Sequence, residues 1–222
     1  MFIDRADAGR RLLERLPNLD PGATVILALP RGGVPVAAVI ARSLGAPLDL
    51  ALVRKVGFPG HPELALAAVS DGSNPQIAVN RDVARMSGLD QAEIEALAEE
   101  QLAEIRRRRE LYLKGRSPVP IAGKTVVVVD DGVATGATMR AALRLLRGAD
   151  PARLIAAVPV APPDTVAELA GECDEVIALE TPEPFGSVGA YYRVFDQVPD
   201  AAVSEMLDNH LRSGEADQAT QR

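Results

Sequence analysis

Apolar residues along the chain gather in short runs that are buried whichever way a strand is turned. They are TVILAL (Thr24–Leu29), LDLALV (Leu48–Val53), VVVV (Val126–Val129), RLIAAVPV (Arg153–Val160) and EVIAL (Glu175–Leu179). Such runs, rich in β-branched residues and lacking alternation, predict strands of a parallel sheet covered on both faces. Segments of helical spacing lie between them. Residues 4–16 carry Leu12, Leu13 and Leu16 on one face behind a capping Asp4. Helices are also expected at Val34–Leu44, stopped by Gly45, and at Met139–Leu146, Pro163–Leu169 and Asp200–Leu211. The longest helical pattern is Asp90–Lys114, opened by Asp90-x-x-Glu93 as a variant capping box, with Ile94, Leu97, Ala98, Leu102, Ile105 and Tyr112 on one face. Glu63–Ser70 and Gln76–Asn80 flank the turn Asp71–Pro75 and read as a hairpin. The sum is an α/β fold of three layers around a parallel sheet. Residues 1–212 are expected to form a single domain, and the polar 213–222 a disordered tail.

Composition narrows the function. A length of 222 residues with 47% apolar content allows a sizeable core, and a net charge of −7 argues against a nucleic-acid-binding face. A lone Cys173 excludes an intramolecular disulfide and a cysteine-rich zinc site, and reads as an inert structural thiol. No run approaches about 18 apolar residues and no secretory leader pattern opens the chain, so neither a membrane span nor export is expected, and the expected location is the cytosol. The run Arg106–Arg109 points around most of a helix circumference, which suits a solvated face paired with Glu99, Glu100, Glu104 and Glu110 better than one binding patch.

The densest chemistry follows the valine strand. Asp130 and Asp131 stand where that strand ends, and a turn of small residues, Gly132, Val133, Ala134, Thr135, Gly136, Ala137 and Thr138, leads into a helix. Ligands of open α/β sheets bind at the carboxyl ends of strands. A small-residue turn at a helix start offers backbone N–H groups and the positive dipole end, which suits phosphate. Thr135 and Thr138 add hydroxyl donors. Ionised aspartates only accept, so Asp130 and Asp131 suit neighbouring hydroxyls, or Mg²⁺ with its water shell. Together these describe a site for a ribose 5-phosphate. A P-loop is excluded by its missing Lys-Ser/Thr ending, and a dinucleotide fold by the missing G-x-G-x-x-G.

Two further loops have anion-binding character. Pro30-Arg31-Gly32-Gly33 follows the first strand, with a fixed charge on Arg31 and close backbone approach at Gly32 and Gly33, although a plain strand-to-helix connection reads equally well. Arg54 and Lys55 are expected at the carboxyl end of the next strand, before an irregular Gly/Pro loop that contains His61. Near the end of the chain, Thr181–Val198 clusters Phe185, Tyr191, Tyr192 and Phe195 in a protein with only 3% aromatic residues. That segment is either a wall that stacks a flat acceptor or a small satellite core.

VVVVDDGVATGAT resembles the phosphoribosyl pyrophosphate (PRPP) binding motif of the type I phosphoribosyltransferases. The whole chain resembles a small group of predicted phosphoribosyltransferases carrying PRGG, VRK and VGAYY segments. The resemblance implies that Asp130 and Asp131 hold the ribose diol and Mg²⁺, and that Ala134–Thr138 hold the 5′-phosphate. It further implies that PRGG is the pyrophosphate loop, often with a strained peptide, and that Arg54 and Lys55 belong to the site. Residues 56–69 would be a mobile loop closing over it. The segment 181–211 would be a hood receiving a base, with Tyr191 and Phe185 foremost. The expected reaction is transfer of phosphoribose to a nitrogenous acceptor with release of pyrophosphate, in nucleotide metabolism, by a homodimer. Arg31, Lys55, Asp130 and Asp131 would be catalytic. A PRPP-binding regulator and a binder of ribose 5-phosphate alone remain open alternatives, and the acceptor is not legible.

Overall fold

The structure, a computed structural model, describes residues 1–58, 61–70 and 76–220; within these ranges, the side chains of 61–65, 76 and 214–220 are outside the description. Its centre is a parallel sheet of β1 (Thr24–Ala28), β2 (Leu48–Leu50), β6 (Thr125–Val129), β7 (Arg153–Val160) and β8 (Glu175–Glu180), in the order β2-β1-β6-β7-β8. β1 and β6 lie side by side in parallel, Thr24 opposite Thr125 through Ala28 opposite Val129.

Successive strand residues face opposite layers. Ile26, Ala28, Val127, Val129, Ile155 and Ala157 turn toward one core, shared with α2 (Gly33–Leu44), α4 (Gln91–Leu113) and α7 (Asp200–Thr220). Val25, Leu27, Val126, Val128, Ala156 and Val158 turn toward the other, shared with α5 (Ala137–Arg147) and α6 (Pro163–Ala170). Each core residue of β6 is fully shielded from solvent, which explains the unbroken valine run. α1 (Arg5–Leu13) packs on α2, with Asp4 capping it through the Asp7 amide at 2.7 Å. The long helix α4 has its full capping box, with Asp90 and Glu93 bonding each other's backbone amides at 2.9 and 2.8 Å.

Helices α2 and α5 follow adjacent strands yet cover opposite faces. The chain therefore parts at the carboxyl ends of β1 and β6, which makes a crevice where open α/β sheets take ligands.

Three expectations need correction. The strand expected at Leu48–Val53 ends at Leu50, and the chain leaves the core sheet there. Residues Val53–Phe58 form β3 of a separate antiparallel sheet with β4 (His61–Ser70) and β5 (Gln76–Val79). Arg54 and Lys55 thus sit on a strand of this second sheet and not at the end of a core strand. Of the segment 56–69, expected to close over the site, the part from Glu63 belongs to the expected hairpin, present as β4 and β5, whereas Val56–Phe58, expected as irregular loop, is strand. Its irregularity is a pair of register shifts at Val56, Gly57 and Phe58. Helix α7 runs to Thr220, where a disordered tail was expected from residue 213; Glu215, Ala216, Gln218 and Ala219 are good helix formers. The structure also adds a short helix, α3 (Arg81–Ser87), capped by the Asn80 side chain. The side chain of His61 and the turn 71–75 lie outside the described residues.

Candidate functional site

The pairing of β1 with β6 brings two loops together at the crevice. The Leu29 amide donates to the Val129 carbonyl at 2.9 Å, so Pro30–Gly33 starts directly beside Asp130. The Pro30–Arg31 peptide is cis. A Cβ on Gly32 would fall 2.1 Å from Asp131 Oδ2, far inside contact distance. A side chain there would have to displace the Asp131 carboxylate from Arg5; glycine lets the loop backbone lie against it.

Asp130 and Asp131 end β6 as expected. Asp130 stays partly open to solvent and accepts from the Asp131 amide at 2.9 Å. Desolvation, then the neighbouring charge of Asp131, pushes its carboxyl well above the usual carboxylate range. Asp131 instead has a cation: Arg5 Nε reaches its Oδ2 at 2.7 Å, both side chains being largely buried at 12% and 13% exposure. Arg5 is itself held by the Asp196 carbonyl at 2.8 Å and lies 4.0 Å over the Phe195 ring. The Tyr192 hydroxyl donates to the Asp131 carbonyl, and burial raises its pKa. Neither Arg5 nor Tyr192 was singled out as a site residue from sequence. Arg5 sits 126 positions from Asp131 in an ordinary-looking amphipathic helix, so no local pattern could mark it.

The turn after the acids divides into a packed part and an open part. Val133 is a core residue whose amide already donates to Val160 at 2.9 Å, so it supplies packing and not a donor. Gly132 has φ of +151°, and a Cβ there would meet Val188 at 2.4 Å. Ala134 is anchored through its carbonyl by the Thr165 hydroxyl at 2.8 Å. Ala134, Thr135 and Thr138 are exposed and Ala137 partly so, while Gly136 is buried at the start of α5. No side chain caps that helix, so its first-turn amides face the crevice without intrahelical partners.

The cations lie on the other side. Arg31 is exposed on its loop, 3.6 Å from Asp200. Arg54 donates to Gln101 at 2.8 Å and lies 3.6 Å from Glu104. A cavity of about 300 Å³ brings Arg54 and Lys55 together with Arg108 and Thr138. The corrected placement of β3 therefore still leaves both cations beside the turn.

Of the arginine run, Arg106 pairs with Glu99, and Arg107 and Arg108 share Glu104, as expected for a charged helix surface. Arg109 departs from that pattern: it turns inward to Asp49 at 2.8 Å.

The aromatic segment is chiefly a satellite core of Phe2, Ala8, Val160 and Tyr192, with Phe185, Tyr191 and Phe195 packed around it. Phe185 and Tyr191 stack on each other at 5.6 Å and remain half-buried. The ring that contacts the acidic pair is Tyr192, through its hydroxyl on the Asp131 carbonyl.

For Mg²⁺, the described residues contain no cluster of three or more His, Cys, Asp or Glu able to hold a metal alone. Two adjacent carboxylates, one of them destabilised as an anion, fit an ion that takes one or two carboxylates and completes its shell with phosphate and water.

A parallel sheet with an acidic pair and a small-residue turn at the point where its helices diverge to opposite faces places this chain among the open α/β folds. The comparisons make that class specific. Residues 4–193 match the phosphoribosyl transferase domain. Two curated Mycobacterium tuberculosis proteins, provisionally named phosphoribosyl transferases MT0597 and Rv0571c, are each 47% identical over 212 residues, covering 96% of this chain. The chain spans about half the length of these curated relatives, 47%. The crystal structure of TT1426 from Thermus thermophilus superposes with a TM-score of 0.82 at 45% identity, covering 93% of this chain and 97% of that one. The chain belongs to the phosphoribosyl transferase family.

Proposed function

We propose that the protein binds PRPP with Mg²⁺ and transfers its phosphoribosyl group to a nitrogenous acceptor, releasing pyrophosphate. One observation carries this reading. The Pro30–Gly33 loop lays its Gly32 and Gly33 backbone against Asp131 and Asp130 at the adjacent strand end, and the Ala134–Thr138 turn carries the chain on from those acids into α5. That order matches the order of groups in PRPP: pyrophosphate, ribose diol, 5′-phosphate.

In this reading the α5 first-turn amides, with Thr135 and Thr138, take the 5′-phosphate. Asp130 accepts from the ribose hydroxyls, and that charge-assisted bond favours the carboxylate over its protonated form. Asp131, oriented by Arg5, presents the second carboxylate. Asp130 and Asp131 would hold Mg²⁺ through water, and the ion would supply charge neutralisation on the pyrophosphate oxygens. The bond from ribose C1 to the pyrophosphate oxygen breaks with its electron pair leaving on pyrophosphate, and the acceptor nitrogen forms the new bond to C1. Positive charge develops on the ribose ring as the bond breaks, and the fixed carboxylates beside it favour that state. Arg31, Arg54 and Lys55 favour the departing anion. Phe185 and Tyr191, stacked on each other and half-buried, would offer a wall for the acceptor.

The test is calorimetric titration of Mg²⁺ and PRPP into the wild type and the Asp130→Asn/Asp131→Asn variant, then a pyrophosphate-release screen over purines, pyrimidines and pyridine carboxylates. Binding lost in the variant, with release driven by one acceptor, is the expected result. Binding with no release for any acceptor overturns transfer and leaves a PRPP sensor. Ribose 5-phosphate bound as tightly as PRPP overturns the pyrophosphate role. No PRPP binding in the wild type overturns the whole reading.

A further inference from the structure

Arg108 borders more of the crevice than any residue assigned to it from the sequence motifs. It lines the cavity of about 300 Å³ shared by Arg54, Lys55 and Thr138. It also lines a second of about 260 Å³, beside Pro30, Arg31 and Arg107. A narrow cleft of about 40 Å³ between these, walled by Pro30, Arg54 and Thr138, has Arg108 in its wall again. The side chain thus stands where the Pro30–Gly33 loop, the first turn of α5 and the cations of β3 meet.

Its carboxylate partner there is shared with other arginines. Arg54, Arg107 and Arg108 all face one carboxylate, Glu104, at 3.6, 2.7 and 3.0 Å. Three guanidinium groups thus share Glu104, with Lys55 close by, while Asp200, the acid of the neighbouring cavity, lies 3.6 Å from Arg31. Arginine forks match phosphate oxygens bidentately, and a surface ion pair of this kind is weak enough to exchange partners. At 44% exposure the Arg108 side chain needs no unfolding to swing from Glu104 to a ligand. Two other arginines of the run are fixed differently. Arg109 is tied inward to Asp49, which sets the rotation of α4, and Arg106 points away to Glu99.

We infer that Arg108 of α4 contacts the pyrophosphate group of PRPP, exchanging Glu104 for it; this rests on the PRPP reading above. The pyrophosphate site then draws on an element outside the PRGG loop and β3, namely the long helix, whose arginine run otherwise looks like a solvated surface.

The experiment titrates inorganic pyrophosphate with Mg²⁺, ribose 5-phosphate, and PRPP with Mg²⁺ into the wild type, Arg108→Gln and Arg106→Gln. Arg108→Gln is expected to weaken pyrophosphate and PRPP about tenfold or more, the loss of a charged hydrogen-bond donor, while ribose 5-phosphate binds as in the wild type and Arg106→Gln changes nothing. Unaltered pyrophosphate binding in Arg108→Gln overturns the inference and leaves the PRPP reading intact. An equal loss for ribose 5-phosphate, or an equal loss in Arg106→Gln, also overturns it, because the effect is then general. A wild type that binds neither PRPP nor pyrophosphate overturns both.

Discussion

Asp131 is held from three directions: Arg5 on its carboxylate, the Tyr192 hydroxyl on its carbonyl, and the Gly32 backbone packed against Oδ2. A carboxylate so fixed needs no reorganisation when a ligand arrives, which is the condition for preorganised electrostatics. Replacing Arg5 by Gln keeps much of the bulk over Phe195 and removes the charge. We expect PRPP affinity to fall about tenfold in calorimetry, with the far-ultraviolet circular dichroism unchanged. The acidic pair and its turn were legible because the residues that make the site are adjacent in sequence. Arg5 was not legible, since its partner lies 126 positions away and its helix shows an unremarkable amphipathic pattern. Val133 has a packing role that the motif does not announce. It sits inside the motif, yet its amide is used by β7 and its side chain by the core.

At the scale of elements, α4 is anchored to the core sheet by a buried ion pair. Asp49 of β2 is only 4% exposed, and its carboxylate accepts from Arg109 at 2.8 Å and from the Leu50 and Val119 amides at 2.7 and 2.8 Å. Breaking such a pair from one side strands the other charge in a shielded place. Asp49→Ala should cost about 3 kcal/mol, read as a lower urea midpoint with unchanged slope. In the sequence, Asp49 is a single acid in an apolar run, and Arg109 is one of four arginines; only the fold pairs them. The same holds for β3. The run LDLALVRKVGF reads as one strand and a loop, because periodicity does not mark where a chain leaves one sheet for another. The core strands were legible because burial on both faces writes itself as an unbroken apolar run.

The whole molecule is closed by its distant segments. Phe2 is 1% exposed and its backbone brackets the aromatic segment: its amide donates to the Tyr191 carbonyl at 2.7 Å, and its carbonyl accepts from Arg193 at 2.9 Å. Phe2 packs on Tyr192 at 5.3 Å between ring centres, and Tyr192 on Phe195 at 4.9 Å. This satellite core carries the contacts to Asp131, so its packing and the geometry of the acids are joined. Phe2→Ala should cost about 3 kcal/mol in chemical unfolding. Hydrogen exchange should quicken at the Arg193 and Val194 amides, which are bonded to Phe2 and Ile3. The aromatic cluster was visible in the sequence, but its division between core and wall was not, because a stacked ring and a packed ring have the same composition.

The divergence of α2 and α5 to opposite faces gives the molecule a built-in reporter. A ligand spanning both loops rests on the first turns of helices that belong to separate cores, and so it clamps the two faces together. Cys173, the one thiol, packs against the α5 face with its Sγ 3.3 and 3.2 Å from the Leu169 and Glu175 carbonyls, either of which can accept its one S–H, and burial pushes its pKa up. The sulfur is only partly shielded, and its raised pKa keeps the reactive thiolate scarce, so loosening of this face should speed its reaction with a reagent. The rate at which the native cysteine takes up a label should therefore fall when a ligand holds the two layers together, and thiol-labelling kinetics with and without ligand would read that difference.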